Sequence, residues 1–448
     1  MSRRAPSGLT ALSIGGVRLT LRGWWFLAAS AAFFIVAHST GRQELLYVAA
    51  LLGMLPIIAV IFVRVRRPRL AATRAFSPHV IPAGSAADVS LVVRNLSPSR
   101  SVRATWWDAL PWHPYETPPA DLPAMLARGP RFAGRGNSVA LNYDLTPPRR
   151  GVFPVGPLGV EVADAFGLAA STFVTGEPQS ITVTPEVIPL GDTGMTVPAG
   201  DGESRLVQRR ASGDEDDVMT REYRDGDAMR RVHWRATARK GDLMVRQEEQ
   251  RSFPEARILV DTRRDGYRDV SSDEPGFDES ESEAFEWVVR MLASVAVHLR
   301  RAGFLVTVHD SGIPQFEQMS AAKRRTWGDE DFLTGLASLE LTEPLRAKRR
   351  TTRSNGPLIA LLGTPDAEVV DWLLAQRRPG ELAVAFMVRN LSAIDMIDRH
   401  FGNAATAPAI ADRLTDAGWL VVPVRADDDH AAAWEAVVVE TGRSRGTA

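Results

Sequence analysis

The sequence predicts a multidomain, membrane-anchored chain: an N-terminal transmembrane helical hairpin, a β-sandwich domain, and a C-terminal α/β domain with a mostly parallel sheet. Three observations predict it. Two apolar runs of spanning length stand near the N-terminus, a period of two dominates residues 73–190, and buried-type strands alternate with amphipathic helices after residue 256. At 448 residues the chain is long enough for two or three domains with their own cores. The expected boundaries are 1–69 for the hairpin, 70–190 for the sandwich, 191–255 for a linker and a segment dense in Arg, Asp, His and Trp, and 256–448 for the α/β domain.

The hairpin comes from apolar residues 24–37 and 45–63. At a helical rise the second run covers roughly 28 Å, close to a bilayer core of roughly 30 Å. The first extends to about residues 21–40 once Trp24 and Trp25 are placed in an interfacial belt and Arg22 is allowed to snorkel. Pro56 is expected to kink the second span without breaking it. Arg3, Arg4, Arg18 and Arg22 precede the hairpin and Arg64, Arg66, Arg67 and Arg69 follow it, while Arg42 between the spans is balanced by Glu44. That bias puts both ends, and with them the soluble domains, on the cytoplasmic side of the plasma membrane. The rival reading, a signal peptide cleaved near residues 37–39, fits poorly with a second apolar run that follows almost at once. Cysteine is absent, which excludes disulfides and thiolate metal sites.

In the sandwich region Val89, Leu91 and Val93 alternate with polar or opposite-face residues, as do Val139, Leu141, Tyr143 and Leu145, and then Ile181 and Val183. Pro- and Gly-rich turns at 82–84, 95–98, 147–148 and 176–178 punctuate these runs. Residues 106–135, rich in Pro and aromatics, read as a cap on one end. Residues 191–217, with an acidic run at 214–217, read as a solvated connecting loop.

Further along, strands are expected at 257–261, 304–308, 358–362, 382–388 and 419–424, with helices near 329–339, 366–377, 393–416 and 430–440. A longer amphipathic helix carries Phe285, Val288, Val289, Leu292, Val295, Ala296 and Leu299 on one face, with Ser280 and Glu283 as its capping box. Ligands of such a sheet sit beyond the carboxyl ends of its strands, here Asp261, Asp310, Gly363-Thr364 and Asn390.

Residues 221–250 are the densest in chemistry. Arg221, Glu222 and Tyr223 lead into a turn at Asp225-Gly226, and Asp227 is placed to cap a helix reaching about Arg239. Gly241 is the stop and 243–245 a short strand. Val232 and Ala236 fall on one helical stripe, Arg231 and Arg235 on another. His233, with Asp225 and Asp227 nearby in sequence, has the residue types of a general acid–base site. No Ser or Cys nucleophile motif accompanies it, and no P-loop, HExxH, GxSxG or kinase signature is present, so a structural hydrogen bond is the stronger reading of this histidine. The basic and aromatic residues Arg221, Tyr223, Arg224, Arg230, Arg231, Trp234, Arg235, Arg239 and Lys240 are interleaved with acidic ones in a chain of net charge −1. That balance argues against nucleic acid and for internal ion pairs or an acidic partner, with anionic lipid headgroups as a further option.

The run REYRDGDAMRRVHWRATARKGDLMV resembles the signature of the bacterial family known as domain of unknown function fifty-eight. The resemblance extends to RGVFPVGP at 150–157, DAFGL at 164–168 and ILVDTR at 258–263. It implies a membrane-anchored protein with a von Willebrand factor A-like C-terminal domain and a MoxR-type AAA+ ATPase as partner, and no known reaction. In such A-like domains a metal site resembles Asp-x-Ser-x-Ser, whereas this chain has Asp261-Thr262-Arg263-Arg264-Asp265. Both serines are replaced and Arg263 brings a cation of its own, which counts against a metal at Asp261. The resulting expectation is a non-enzymatic adaptor without cofactor, whose partners are the ATPase and membrane lipid. Its docking or interdomain residues are Arg221, Tyr223, Asp225, Gly226, Asp227, Arg230, Arg231, His233, Trp234, Arg235 and Lys240. The alternative is a membrane-bound hydrolase or transferase working through His233 with Asp225 or Asp227.

Overall fold

Helices α1 (Leu21–Thr40) and α2 (Glu44–Val65) are long and apolar enough to cross a membrane in the computed structural model. The structure describes residues 16–128, 136–191, 220–223, 229, 232, 234–246, 255–267, 282–316, 328–344, 356–389 and 407–437. Thr20 caps α1 by accepting the Gly23 amide at 3.2 Å, and Gly41, at φ 69°, ends it in the left-handed conformation. α2 runs unbroken through Pro56. The two helices approach closely where small residues meet. Ser30 Oγ donates to the Ala49 carbonyl at 2.7 Å, and a Cβ on Gly53 would lie 2.8 Å from Ser30 Oγ.

The chain divides into two compact units, Met1–Pro185 with Leu333–Ser338 and Glu186–Phe332 with Leu339–Ala448. The first holds the hairpin and strands β1 (Val17–Leu19), β2 (Leu70–Ser77), β3 (Val80–Pro82), β4 (Ala87–Asn95), β5 (Ala104–Asp108), β6 (Ala120–Leu122), β7 (Ser138–Leu145), β8 (Gly151–Val155), β9 (Leu158–Ala163), β10 (Ala169–Thr175) and β11 (Gln179–Thr184). They form a five-stranded sheet in the order β1-β10-β9-β5-β6 and two three-stranded sheets, β2-β4-β7 and β3-β11-β8. Pairing is antiparallel except between β3 and β11.

Alternation along β4 turns Val89, Leu91 and Val93 to one face, where Leu91 and Val93 join one core cluster with Trp106, Val160, Val162 and Phe173. Val89 goes into a second with Phe76, Leu145, Val155, Ile181 and Val183. Sheets therefore pack face to face, as the period of two required. Residues 106–128 do more than cap an end. Trp106, Leu122 and Met125 fill the first cluster, and Trp112 lies edge-on to Phe153 at 5.4 Å in the second. Strand β1 was not foreseen. It precedes the hairpin and pairs with β10 from Val17↔Ser171 to Leu19↔Ala169, so the chain joins the sheet before it enters α1.

The polar centre of this unit is an ion pair. Arg74 and Asp108 are both fully buried, with Arg74 Nε 2.7 Å and Nη2 2.5 Å from the two carboxylate oxygens. Tyr143 donates its hydroxyl to the same carboxylate, and Arg74 Nη1 donates to the Glu177 carbonyl at 3.1 Å. Burial, then the adjacent Asp108 charge, push the Tyr143 phenol pKa well above its ordinary value, so it stays a neutral donor.

The second unit contains β12 (Thr220–Glu222), α3 (Trp234–Lys240), β13 (Met244–Arg246), β14 (Glu255–Val260), α4 (Glu283–Arg301), β15 (Leu305–Asp310), the first turn of α5 (Asp329–Ala337), whose remainder belongs to the first unit, β16 (Leu358–Leu362), α6 (Ala367–Gln376), β17 (Ala383–Arg389), α7 (Ala407–Asp416), β18 (Leu420–Arg425) and a helix over 430–437. The sheet order is β15-β14-β16-β17-β18 and every pairing is parallel. Strands β16 and β17 are buried nearly throughout, which accounts for their unbroken apolar runs. All the apolar residues expected on one face of α4 are buried. Its cap is Ser282, which accepts the Phe285 amide at 3.1 Å, in place of the expected Ser280, which lies outside the described residues. Of the helix expected over 393–416 the described part is α7, and Asn390 also lies outside the described residues.

Candidate functional site

Strand order reverses between β14 and β16, so the crevice beyond their carboxyl ends is where a ligand of this sheet would sit. Asp261 follows directly on β14 and is fully buried, and Arg263 occupies the space in front of it. Arg263 Nε and Nη2 reach the two Asp261 oxygens at 2.9 and 3.0 Å, and the Arg263 amide donates to Oδ1 at 3.2 Å. Ser311 Oγ donates to the same Oδ1, and Tyr267 Oη donates to the Asp261 carbonyl at 2.6 Å. Arg263 Nη1 reaches Asp366 at 2.5 Å, while the other Asp366 oxygen accepts the Val369 amide at 2.9 Å as the N-cap of α6. Gly266 closes the near side, where a Cβ would lie 2.9 Å from Asp261 Oδ2.

Burial opposes the Arg263 charge, but the hydrogen bonds and charges of Asp261 and Asp366 outweigh it and raise its pKa above the usual guanidinium value. The guanidinium is thus a fixed cation held between two carboxylates. Among the described residues no group of three or more His, Cys, Asp or Glu is arranged to hold a metal. Asp261 and Asp310 were marked from the sequence as strand-end residues. Ser311, Tyr267 and Asp366 were not. Asp366 carried a readable signal, since an aspartate just before an apolar helical run and just after a buried strand is both an N-cap and a crevice residue.

The signature segment is a small β–α–β element. β12 and β13 pair antiparallel, Thr220↔Arg246 to Glu222↔Met244, and the Tyr223 amide extends the ladder to the Leu243 carbonyl at 2.7 Å. α3 returns against β13 through Thr237, whose Oγ1 accepts the Met244 amide at 3.0 Å. Gly241, at φ 84°, is the left-handed stop, and its amide reaches the Thr237 carbonyl at 2.9 Å. The described helix begins at Trp234. Val232 forms an isolated bridge to Val245 instead of a helical stripe with Ala236, because the extended ladder takes it first.

Val232, Met244 and Val245 are buried and give the element its core. Trp234 is 66% exposed, Met229 and Leu243 are exposed, and Arg239 and Lys240 stand exposed on the same helix as Trp234. Arg221 lies in β12 and Arg235 in α3 by backbone, and Tyr223 is half-buried. Asp225, Gly226, Asp227, Arg230, Arg231 and His233 lie outside the described residues, so the catalytic alternative built on His233, Asp225 and Asp227 has no described geometry.

Residues 219–301 match the family described as protein of unknown function DUF58. No curated protein matches the chain. Among solved structures, a CARDB domain from Pyrococcus furiosus is 15% identical over 27% of this chain and 97% of its own, with a TM-score of 0.18. A β-glucosidase from Listeria innocua, solved with glucose, is 11% identical over 27% of this chain and 17% of its own, also with a TM-score of 0.18. A chitin binding domain from Burkholderia pseudomallei is 18% identical over 23% and 56% of the two chains, with a TM-score of 0.12.

Proposed function

This chain is a DUF58-family protein over residues 219–301, and on that premise we propose that it is a membrane-anchored adaptor without catalytic activity of its own. Its soluble units face the cytoplasm and present the signature element to a MoxR-type AAA+ ATPase, in the assembly or maturation of envelope or other proteins. The observation that carries the reading is Trp234. A tryptophan left 66% exposed at the start of a helix, with Arg239 and Lys240 exposed further along it, has the composition of an interface anchor that meets an acidic partner. Arg231 and Arg235 supply further planar donors for carboxylates.

Three features support the rest. β1 precedes α1 and β2 follows α2, and both lie in sheets of one unit, so the ends of the hairpin share one side. The arginine bias makes that side cytoplasmic. The parallel sheet with an aspartate after its first strand agrees with a von Willebrand A-like domain. Arg263, filling the crevice beside Asp261, takes the role that a metal would have there and favours a structural over a catalytic strand-end cluster.

Affinity purification of the detergent-solubilised chain, with mass spectrometry of what comes along, tests this reading. Wild type should enrich the ATPase, and the Trp234→Ala and Arg231→Ala variants should lose it while keeping the same melting temperature. Equal recovery with all three would count against the proposal.

A further inference from the structure

The DAFGL stretch at 164–168 is accounted for neither by the crevice nor by the signature element, and its geometry places it against the hairpin. Asp164 builds the turn: its carboxylate accepts the Phe166 amide at 2.8 Å and the Leu168 and Ala169 amides at 2.7 Å each. The turn is fastened to the start of α1. Thr20 Oγ1 donates to the Gly167 carbonyl at 2.5 Å and the Thr20 amide to the Leu168 carbonyl at 2.9 Å. Gly23 meets that carbonyl so closely that a Cβ would sit 2.3 Å from its oxygen. On the other side Leu168 packs with Ala59 and Val63 of α2, together with Phe26 and Leu55.

Those contacts fix the depth of the loop. Ala59 lies five positions before Arg64, about 7 Å along the helix toward the apolar stretch. The turn backbone is therefore level with Gly23 and Ala59–Val63, at or beyond the arginines that mark the headgroup plane. Phe166, at the tip, is 69% exposed, in company with Leu21 at 66% and Trp25 at 68%. Arg22, Arg64 and Arg66 are exposed beside this level, and among the described residues none of them has a carboxylate within ion-pair distance. An exposed phenylalanine held rigidly beside two spanning helices, with unpaired cations at the same height, matches the boundary between headgroups and acyl chains.

We infer that residues 164–168 form a third membrane contact. Phe166 lies in the headgroup–acyl boundary, and Arg22, Arg64 and Arg66 lie against lipid phosphates. The occupant of this surface is the bilayer that holds the hairpin, so the inference rests on the spanning reading of α1 and α2, and the test keeps the two apart.

The absence of cysteine allows single-cysteine variants of the full chain, Phe166→Cys, Met54→Cys and Val174→Cys, to be labelled with an environment-sensitive fluorophore in phosphatidylcholine–phosphatidylglycerol nanodiscs. Met54 is an exposed residue of α2, and Val174 is an exposed residue of β10, six positions or about 20 Å beyond Leu168. The expected result is a blue shift at Phe166 and loss of most of its emission to lipids carrying a quencher near the headgroup. Met54 should respond to a deep quencher, and Val174 to neither. A water-like Phe166 with a quenched Met54 overturns the third contact and leaves the hairpin standing. A water-like Met54 overturns both.

Discussion

At the scale of single residues, the first unit depends most on Asp108. Its carboxylate is shared by Arg74 and Tyr143 in a fully buried site, so removing it strands a guanidinium away from water. Asp108→Ala should cost about 3–5 kcal/mol in thermal or chemical unfolding; a loss below 1 kcal/mol would mean that the pair is solvated. Nothing in the sequence pointed to this pair, because Arg74 and Asp108 are far apart and no spacing rule links them. Its shadow was nonetheless in the RGVFPVGP stretch. Gly156 has φ 99°, and a Cβ there would lie 2.6 Å from the Arg74 guanidinium, so only glycine lets the backbone pass.

His430 gives the second unit a pH dependence. It stacks on Trp287 with ring centroids 4.6 Å apart, and burial, opposed by a hydrogen bond to the Trp287 carbonyl, lowers its pKa from 6.5 to about 4. Arg290 adds to the lowering and Asp429 opposes it. The folded state keeps this histidine neutral while the unfolded chain protonates it. The associated stability is therefore fully present above pH 6.5, is lost as pH falls toward 4, and amounts to about 3 kcal/mol across that window. The melting temperature should fall with pH over this range, and His430→Gln should flatten the slope. A wild-type profile already flat there would remove His430 from the account.

At the scale of elements, β14, β16 and β17 begin and end within a few residues of where their apolar runs suggest, because a strand buried on both faces leaves little choice of composition. The buried face of α4 was equally legible from its helical period. The signature helix was less so: the cap chemistry of Asp227 suggested an early start, while the described helix begins at Trp234, after Val232 has bridged to Val245. Asp227 itself lies outside the described residues. β1 was missed because three residues are too few to show a period.

One part of the crevice beyond β14 was visible in the sequence. Arg263 was recognised as a cation beside Asp261, but Asp366 and Ser311 arrive from loops distant in sequence. Arg263→Ser should destabilise the second unit by about 3–5 kcal/mol, since two carboxylates lose their shared cation. Millimolar Mg²⁺ should recover part of that loss, because Asp261, Ser311 and the new hydroxyl are hard oxygen ligands. The wild-type melt should ignore Mg²⁺, and a wild-type rise in melting temperature on adding it would show that the guanidinium leaves room for a cation beside Asp261.

At the scale of the whole molecule, one unit carries a hairpin of two helices long and apolar enough to span a bilayer, and the other carries a signature element that leaves its tryptophan exposed. Apolar length and the periods of 2 and 3.6 made the apolar helices, the antiparallel sheets and the parallel sheet legible, since they are properties of sequence alone. The exposure of Trp234 was not legible. An aromatic residue beside Val232 fits a core position as well as an interface, and only the turn of α3 against β13 decides between them. The most direct measurement of the central claim is the equilibrium affinity of the purified AAA+ ATPase for this chain in nanodiscs, compared with Trp234→Ala. The account predicts affinity at least tenfold weaker for the variant at an unchanged melting temperature, the behaviour of an interface anchor whose loss costs about 2 kcal/mol. Equal affinity for the two proteins, or no binding by either, would contradict it.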